Sequence, residues 1–152
     1  MFNYDTYISP FTWRYASKEM REIWSEDHRR RLMRRVWVSL AAAQHLAGLV
    51  TAEQLDDLKS QKENIDIERA MEVERELHHD VMAEIHVYSE QAPKGGQILH
   101  WGATSADIID NADVLRQKEA LRLVLLRLER LLLAFATQIE DTADLPVMAY
   151  TH

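Results

Sequence analysis

The sequence predicts an all-α fold: an amino-terminal helical domain over residues 1–104, followed by the first long helix of a central helical bundle over 105–152. Two observations carry this. Only 4 Gly and 3 Pro punctuate 152 residues, too few for the turns of a many-stranded protein. Apolar residues also recur at three- and four-residue steps through most of the chain, the period of a helix with one buried face. A hydrophobic content of 47% is enough for a real core.

The elements follow in order. A short helix is expected from Ser17 to Trp24 and a second from Ser25 to Leu49, with Leu32, Val36, Leu40 and Ala43 or Ala47 as its apolar stripe and Gly48 as its stop. Thr51-Ala52-Glu53-Gln54 fits a capping box, so a third helix starts there and fades near Asn64. Asp66 caps a fourth through Ile67, Met71 and Val73. A fifth runs from about Asp80 to Gln91, where Pro93-Lys94-Gly95-Gly96 breaks the chain. From Ser105 to about Glu140 neither Gly nor Pro occurs, and Ile108, Ala112, Leu115, Leu121, Leu125, Leu128, Leu132, Phe135 and Ile139 keep a helical period. At 1.5 Å per residue this helix is ~50 Å long, more than a small domain can cover. Its leucine-rich face is expected to meet other subunits, and the residues from Asp141 on, with Pro146, read as an extended connection out of a bundle that continues in a longer chain.

Composition excludes several functions. With no Cys there are no disulfides, thiolate metal sites or cysteine nucleophiles. A net charge of −7 argues against a nucleic-acid binder, although Arg29, Arg30, Arg31, Arg34 and Arg35 cluster tightly. On a helix those arginines spread over more than one face and read as a solvated or interface surface. The first residues resemble no secretory signal and no apolar run reaches the ~20 residues of a membrane span, so a cytoplasmic protein is the default.

Three clusters can carry chemistry. His100-x-Gly102-Ala103-Thr104-Ser105 precedes the long helix. Helix-start amides and hydroxyls suit a carboxylate or phosphate, while Thr104 with Asp107 can equally be an N-cap. Arg14-Tyr15 can hold a phosphate through a guanidinium fork and a hydroxyl, or can simply be a surface pair. His78-His79-Asp80 lies at a helix junction. Glu76-x-x-His79 matches only half of a dimetal carboxylate motif, which leaves a histidine poised by Asp80 for binding or proton traffic, or exposed histidines with Asp80 as N-cap.

Taken in order, Ser9-Pro10 with Arg14-Tyr15-Ala16-Ser17 and Met20, Glu63-Asn64-Ile65-Asp66, His79-Asp80-Val81-Met82-Ala83, His100-x-Gly102-Ala103-Thr104-Ser105, and Asp144-Leu145-Pro146 with Thr151-His152 resemble the adenylosuccinate lyase family of the fumarase/aspartase superfamily. The resemblance spans essentially the whole chain and is closest to the branch that includes the animal enzymes. It implies a homotetramer built on long helices, active sites shared among three chains, no cofactor, no metal, and C–N bond elimination releasing fumarate from succinylated purine nucleotides. It further implies that Arg14 and Tyr15 contact the nucleotide phosphate and that His78, His79 and Asp80 line the substrate site, with His79 assisting catalysis. Thr104 and Ser105 would bind the succinyl portion, with Thr151 supporting that pocket, and His152 would be the general acid.

His78 stands where the family usually has Arg, and the family's flexible loop with its serine base has no counterpart here, so these 152 residues are expected to be an amino-terminal fragment unable to complete turnover. The alternatives are a sibling lyase, such as one acting on argininosuccinate, which has no need of a phosphate clamp at Arg14-Tyr15, and a helical oligomerisation module without catalysis.

Overall fold

The computed structural model describes residue 7 and residues 9–151, and among them every regular element is helical. A wide turn, Phe11–Tyr15, is closed by the Ala16 amide donating to the Phe11 carbonyl at 3.1 Å. Six α-helices follow: α1 Lys18–Ile23, α2 Glu26–Leu46, α3 Ala52–Gln61, α4 Ile67–Leu77, α5 Asp80–Gln91 and α6 Ser105–Thr142, with a short 3₁₀ turn, Gly95–Ile98, between the last two. None is long and apolar enough to cross a membrane.

Polar caps set the helix starts. Ser17, Ser25 and Asp66 each accept the amide three residues on, from Met20, His28 and Arg69. Thr51 and Gln54 close the expected capping box, with the Gln54 amide donating to Thr51 Oγ1 at 3.2 Å and the Thr51 amide to Gln54 Oε1 at 3.1 Å. Such caps satisfy amides that have no carbonyl in their own helix. At its other end α2 stops at Leu46, three residues short of the expectation, and Gly48 takes up the left-handed backbone at φ 76° that follows.

The core is organised around the middle of α2. Leu32, Met33, Trp37 and Ala41 are buried against Leu55 and Leu58 of α3, Val81 and Tyr88 of α5, Ile98, and Ile108 and Ala112 of α6. A smaller cluster, Ala70, Val73, Ala83 and Val87, joins α4 to α5. The buried stripe of α2 is thus rotated from the expected one: Val36 and Leu40 are only half-buried and Ala43 and Ala47 are exposed. Arg30 and Arg34 continue the true stripe toward the helix start, and as charged residues they hide it from a search for apolar periodicity.

Close approach is tightest at the 3₁₀ turn. A Cβ on Gly95 would lie 2.4 Å from Leu58 Cγ and 2.7 Å from the Gln54 carbonyl oxygen, so glycine alone fits there. Asp57 Oδ2 then accepts the amides of both Lys94 and Gly95, at 2.8 and 3.0 Å.

Helix α6 has two halves. The first is anchored: Arg116 donates to the carbonyls of Ile23 and Trp24 at 3.3 and 3.2 Å and lies over the Trp24 ring, a cation placed at the C-terminal end of α1. His28 of α2 meets Glu119 at 2.6 Å. Beyond Ala120 the helix leaves the core, and Leu121, Leu125, Leu128, Leu132, Phe135 and Ile139 are all exposed. With 38 residues the helix extends for about 57 Å at 1.5 Å per residue. Residues 145–151 form no regular element.

Candidate functional site

A cleft of about 600 Å³ lies where α2, α4 and α5 converge, lined by Glu26, Arg29, Arg30, Met71, Glu74, His78, His79 and Asp80. The two histidines form the whole hinge between α4 and α5. His78 ends α4 in the left-handed conformation, φ 54°, with its amide on the Glu74 carbonyl at 2.7 Å. His79 is the N-cap of α5, its Nδ1 accepting the Met82 amide at 3.4 Å. The alternative in which Asp80 is the N-cap does not hold: Asp80 is the first helical residue, and its carboxylate is instead held by Arg29, Nη2 to Oδ2, at 2.9 Å.

These contacts fix the chemistry that the cleft offers. Because Nδ1 of His79 accepts a hydrogen bond, the neutral ring carries its proton on Nε2. Asp80 is held below the ordinary carboxylate range: burial opposes ionisation, but the Arg29 hydrogen bond and the Val81 amide outweigh it. The cleft thus has three carboxylates, two imidazoles and two guanidiniums in its lining.

Behind it lies a buried ionic cluster. Glu84 accepts from Arg30 Nη1 at 2.6 Å and from Arg34 Nε at 2.7 Å, and all three residues are buried. Arg34 also donates through Nη1 to the carbonyls of Gln61 and Asn64 and to Gln91 Oε1, and its guanidinium lies 4.3 Å from the centre of the Tyr88 ring. The arginine-rich run is therefore only partly the solvated surface expected of it. Arg35 is exposed, but Arg30 and Arg34 turn inward because Glu84 waits on α5. A sequence signal existed: Glu84 interrupts the otherwise apolar positions Val81, Val87 and Tyr88, and Arg30 and Arg34 share a face with Trp37 and Ala41.

The loop before α6 approaches the same wall. His100 adopts φ 71°, accepts the Trp37 indole N–H on Nδ1 at 3.1 Å, and meets that ring edge-on. Burial pushes its pKa below the ordinary histidine value and His79 adds to this, while Asp107 opposes it. The sign for stability follows. Folded His100 holds a proton less tightly than the unfolded chain, so its contribution is complete above about pH 6.5 and is lost as the pH falls through the lowered pKa. Melting curves across that range are expected to show a shallower acid-side loss in His100→Gln than in the parent, and equal slopes would exclude His100 as the cause.

At the start of α6, the Thr104 amide donates to Asp107 Oδ2 at 2.8 Å, so the capping reading describes this turn as it stands. Thr104 is exposed and Ser105 half-buried. Arg14 and Tyr15 are exposed on the wide turn, Arg14 over the Trp13 ring at 4.4 Å and Tyr15 beside Phe11. Among the described residues, no hydrogen bond or ion pair joins them to the cleft. Thr151 is exposed, and His152 lies outside the described residues. Nor do the described residues contain a group of three or more His, Asp or Glu able to hold a metal ion. The structure thus brings together His78, His79 and Asp80, adds Arg29 and Arg30, which sequence patterns did not single out for the site, and leaves His100 on Trp37, outside the cleft lining, and Arg14, Tyr15 and Thr151 apart.

No protein-family model matches the chain. It is 36% identical over 156 aligned residues to the adenylosuccinate lyase of Saccharomyces cerevisiae and 35% identical over 153 to that of Schistosoma mansoni, in each case across all of this chain and 32% of the relative. The adenylosuccinate lyase of Archaeoglobus fulgidus is 32% identical over 145 residues, covering 95% of this chain and 32% of the relative. The chain spans about a third of the length of these curated relatives. Sustained over the full chain and across eukaryotic and archaeal relatives, this similarity is to adenylosuccinate lyases throughout.

Proposed function

We propose that this chain forms one wall of an adenylosuccinate lyase active site, in an enzyme that eliminates fumarate from succinylated purine nucleotides by breaking a C–N bond. The observation that carries the reading is the similarity to adenylosuccinate lyases along the whole of this chain, together with the cleft in which His79 and Asp80 stand side by side.

In such an elimination a proton leaves the carbon beside a carboxylate, and negative charge builds on that carboxylate before the nitrogen departs. Donors that meet this charge bind the intermediate more strongly than the substrate. Thr104 and Ser105, at the start of a 38-residue helix, are suited to that task, with Thr151 supporting the pocket. His79, with its proton on Nε2, and His78 donate to the substrate from the cleft, and Asp80 keeps the wall oriented. Arg14 and Tyr15 clamp the nucleotide phosphate. His152 delivers the proton to the leaving nitrogen, for which an imidazole with a pKa near ~6.5 is suited at neutral pH.

Self-association completes the arrangement. The exposed leucines of α6 favour a bundle with other copies, a homotetramer in the intact cytoplasmic enzyme, in which Arg14, Tyr15 and Thr151 of different subunits converge on the cleft. The division at residues 104 and 105 then separates an amino-terminal helical domain from the start of the bundle-forming one. These 152 residues alone are expected not to turn over.

The test is fumarate release from adenylosuccinate by the protein expressed from its complete coding sequence. His152→Ala is expected to lower kcat by about 10²–10⁴-fold while the oligomeric state is unchanged. Full activity in that variant would remove His152 from the mechanism, and no fumarate from the parent would remove the lyase reading.

A further inference from the structure

We infer that Arg29 is a positioning residue for the cleft: it holds the Asp80 carboxylate away from His79 and so keeps the His79 proton on the nitrogen that faces the substrate. This rests on the lyase reading of the cleft. The pair joins the second turn of α2 to the first residue of α5, 51 positions on, immediately behind the His78-His79 hinge.

The geometry is a competition for one nitrogen. Asp80 has Oδ2 on Arg29 at 2.9 Å, while Oδ1 stops 3.7 Å from His79 Nδ1, too far for a hydrogen bond. Nδ1 is left to accept the Met82 amide and cap α5. Without the guanidinium, the Asp80 carboxylate is free to turn toward the neutral His79 ring. The carboxylate then swings onto Nδ1, pulls the proton to that side, breaks the cap and turns an Nε2 donor into an acceptor. Glu26 sits 3.6 Å from the other arm of Arg29, and Asp113 of α6 adds a further negative charge, so Arg29 is held in place from two sides.

Kinetics separate positioning from mere packing. The remaining charged and titratable groups around the hinge are Arg30, Glu74, His78 and, across the loop before α6, His100; all are retained in the variants. In the protein expressed from its complete coding sequence, Arg29→Met is expected to lower kcat/KM for adenylosuccinate by about tenfold or more. Its acid limb should also move to higher pH, since the Arg29 hydrogen bond and charge are what hold Asp80 below the ordinary carboxylate range.

Arg29→Lys keeps the charge and should restore the position of the limb, giving a second reading if the methionine variant folds poorly. In an Asp80→Asn background, Arg29→Met should cost little more. An unmoved acid limb in Arg29→Met, or a rise in KM with kcat and the limb unchanged, overturns the positioning role, the latter in favour of direct substrate contact. His79→Gln is the control on the reading beneath it: undiminished kcat/KM there overturns the assignment of the cleft and this inference with it, whereas an impaired His79→Gln beside an unimpaired Arg29→Met overturns the inference alone.

Discussion

Replacing Glu84 with Ala is expected to destabilise the fold by about 3–5 kcal/mol, the cost of stranding buried charge, and to lower the urea midpoint with little change in slope. Glu84 and Arg34 are 0% exposed and Arg30 is 2% exposed, so neither guanidinium can turn to water when the carboxylate is removed. Arg30 Nε and Arg34 Nη2 already have no hydrogen-bond partner, and with Glu84 gone Arg30 keeps Glu26 at 3.0 Å while Arg34 keeps neutral acceptors, the carbonyls of Gln61 and Asn64 and Gln91 Oε1. For a domain whose total stability is about 5–15 kcal/mol, the loss is a large fraction. Glu84→Gln keeps the shape and one acceptor and should cost clearly less. A change below about 1 kcal/mol in the alanine variant would show that the cluster is worth no more than a surface ion pair.

Placing glutamate at both Leu128 and Leu132 is expected to abolish self-association while leaving the helical content intact. Leu121, Leu125, Leu128, Leu132, Phe135 and Ile139 follow steps of four and three, the seam along which helices pair in a left-handed supercoil. Both target positions are more than half exposed, so the folded chain itself loses no core contact. Each leucine buried in an assembly is worth about 1.5–3 kcal/mol, and the repulsion of glutamates meeting across a symmetric interface adds to that loss. Light scattering after size-exclusion chromatography gives the answer directly. An unchanged mass would show that the stripe is not the assembly surface.

Most helix boundaries were legible because they are local events. Ser17, Ser25, Thr51 and Asp66 cap through bonds to residues three positions on, and nothing beyond that window is needed to write them. The cap of α5 is less legible, because aspartate is the commoner cap, while here Arg29, distant in sequence, has claimed Asp80 and His79 caps instead. The buried face of α2 was misplaced for a similar reason: Arg30 and Arg34 look solvated until Glu84 is brought opposite them by the α4–α5 hairpin. In the site, the motifs at 78–80 and 100–107 were visible as patterns. That they share a field, so that His79 acts on His100, depends on packing that no window of sequence contains.

Helix α6 carries Thr104 and Ser105 at one end and the leucine seam at the other, with no glycine or proline between them to let one turn without the other. It therefore behaves as an axle. Any roll imposed on the seam is carried along the helix to the turn of Thr104 and Ser105, so what packs against one end bears on the position of the hydroxyls at the other.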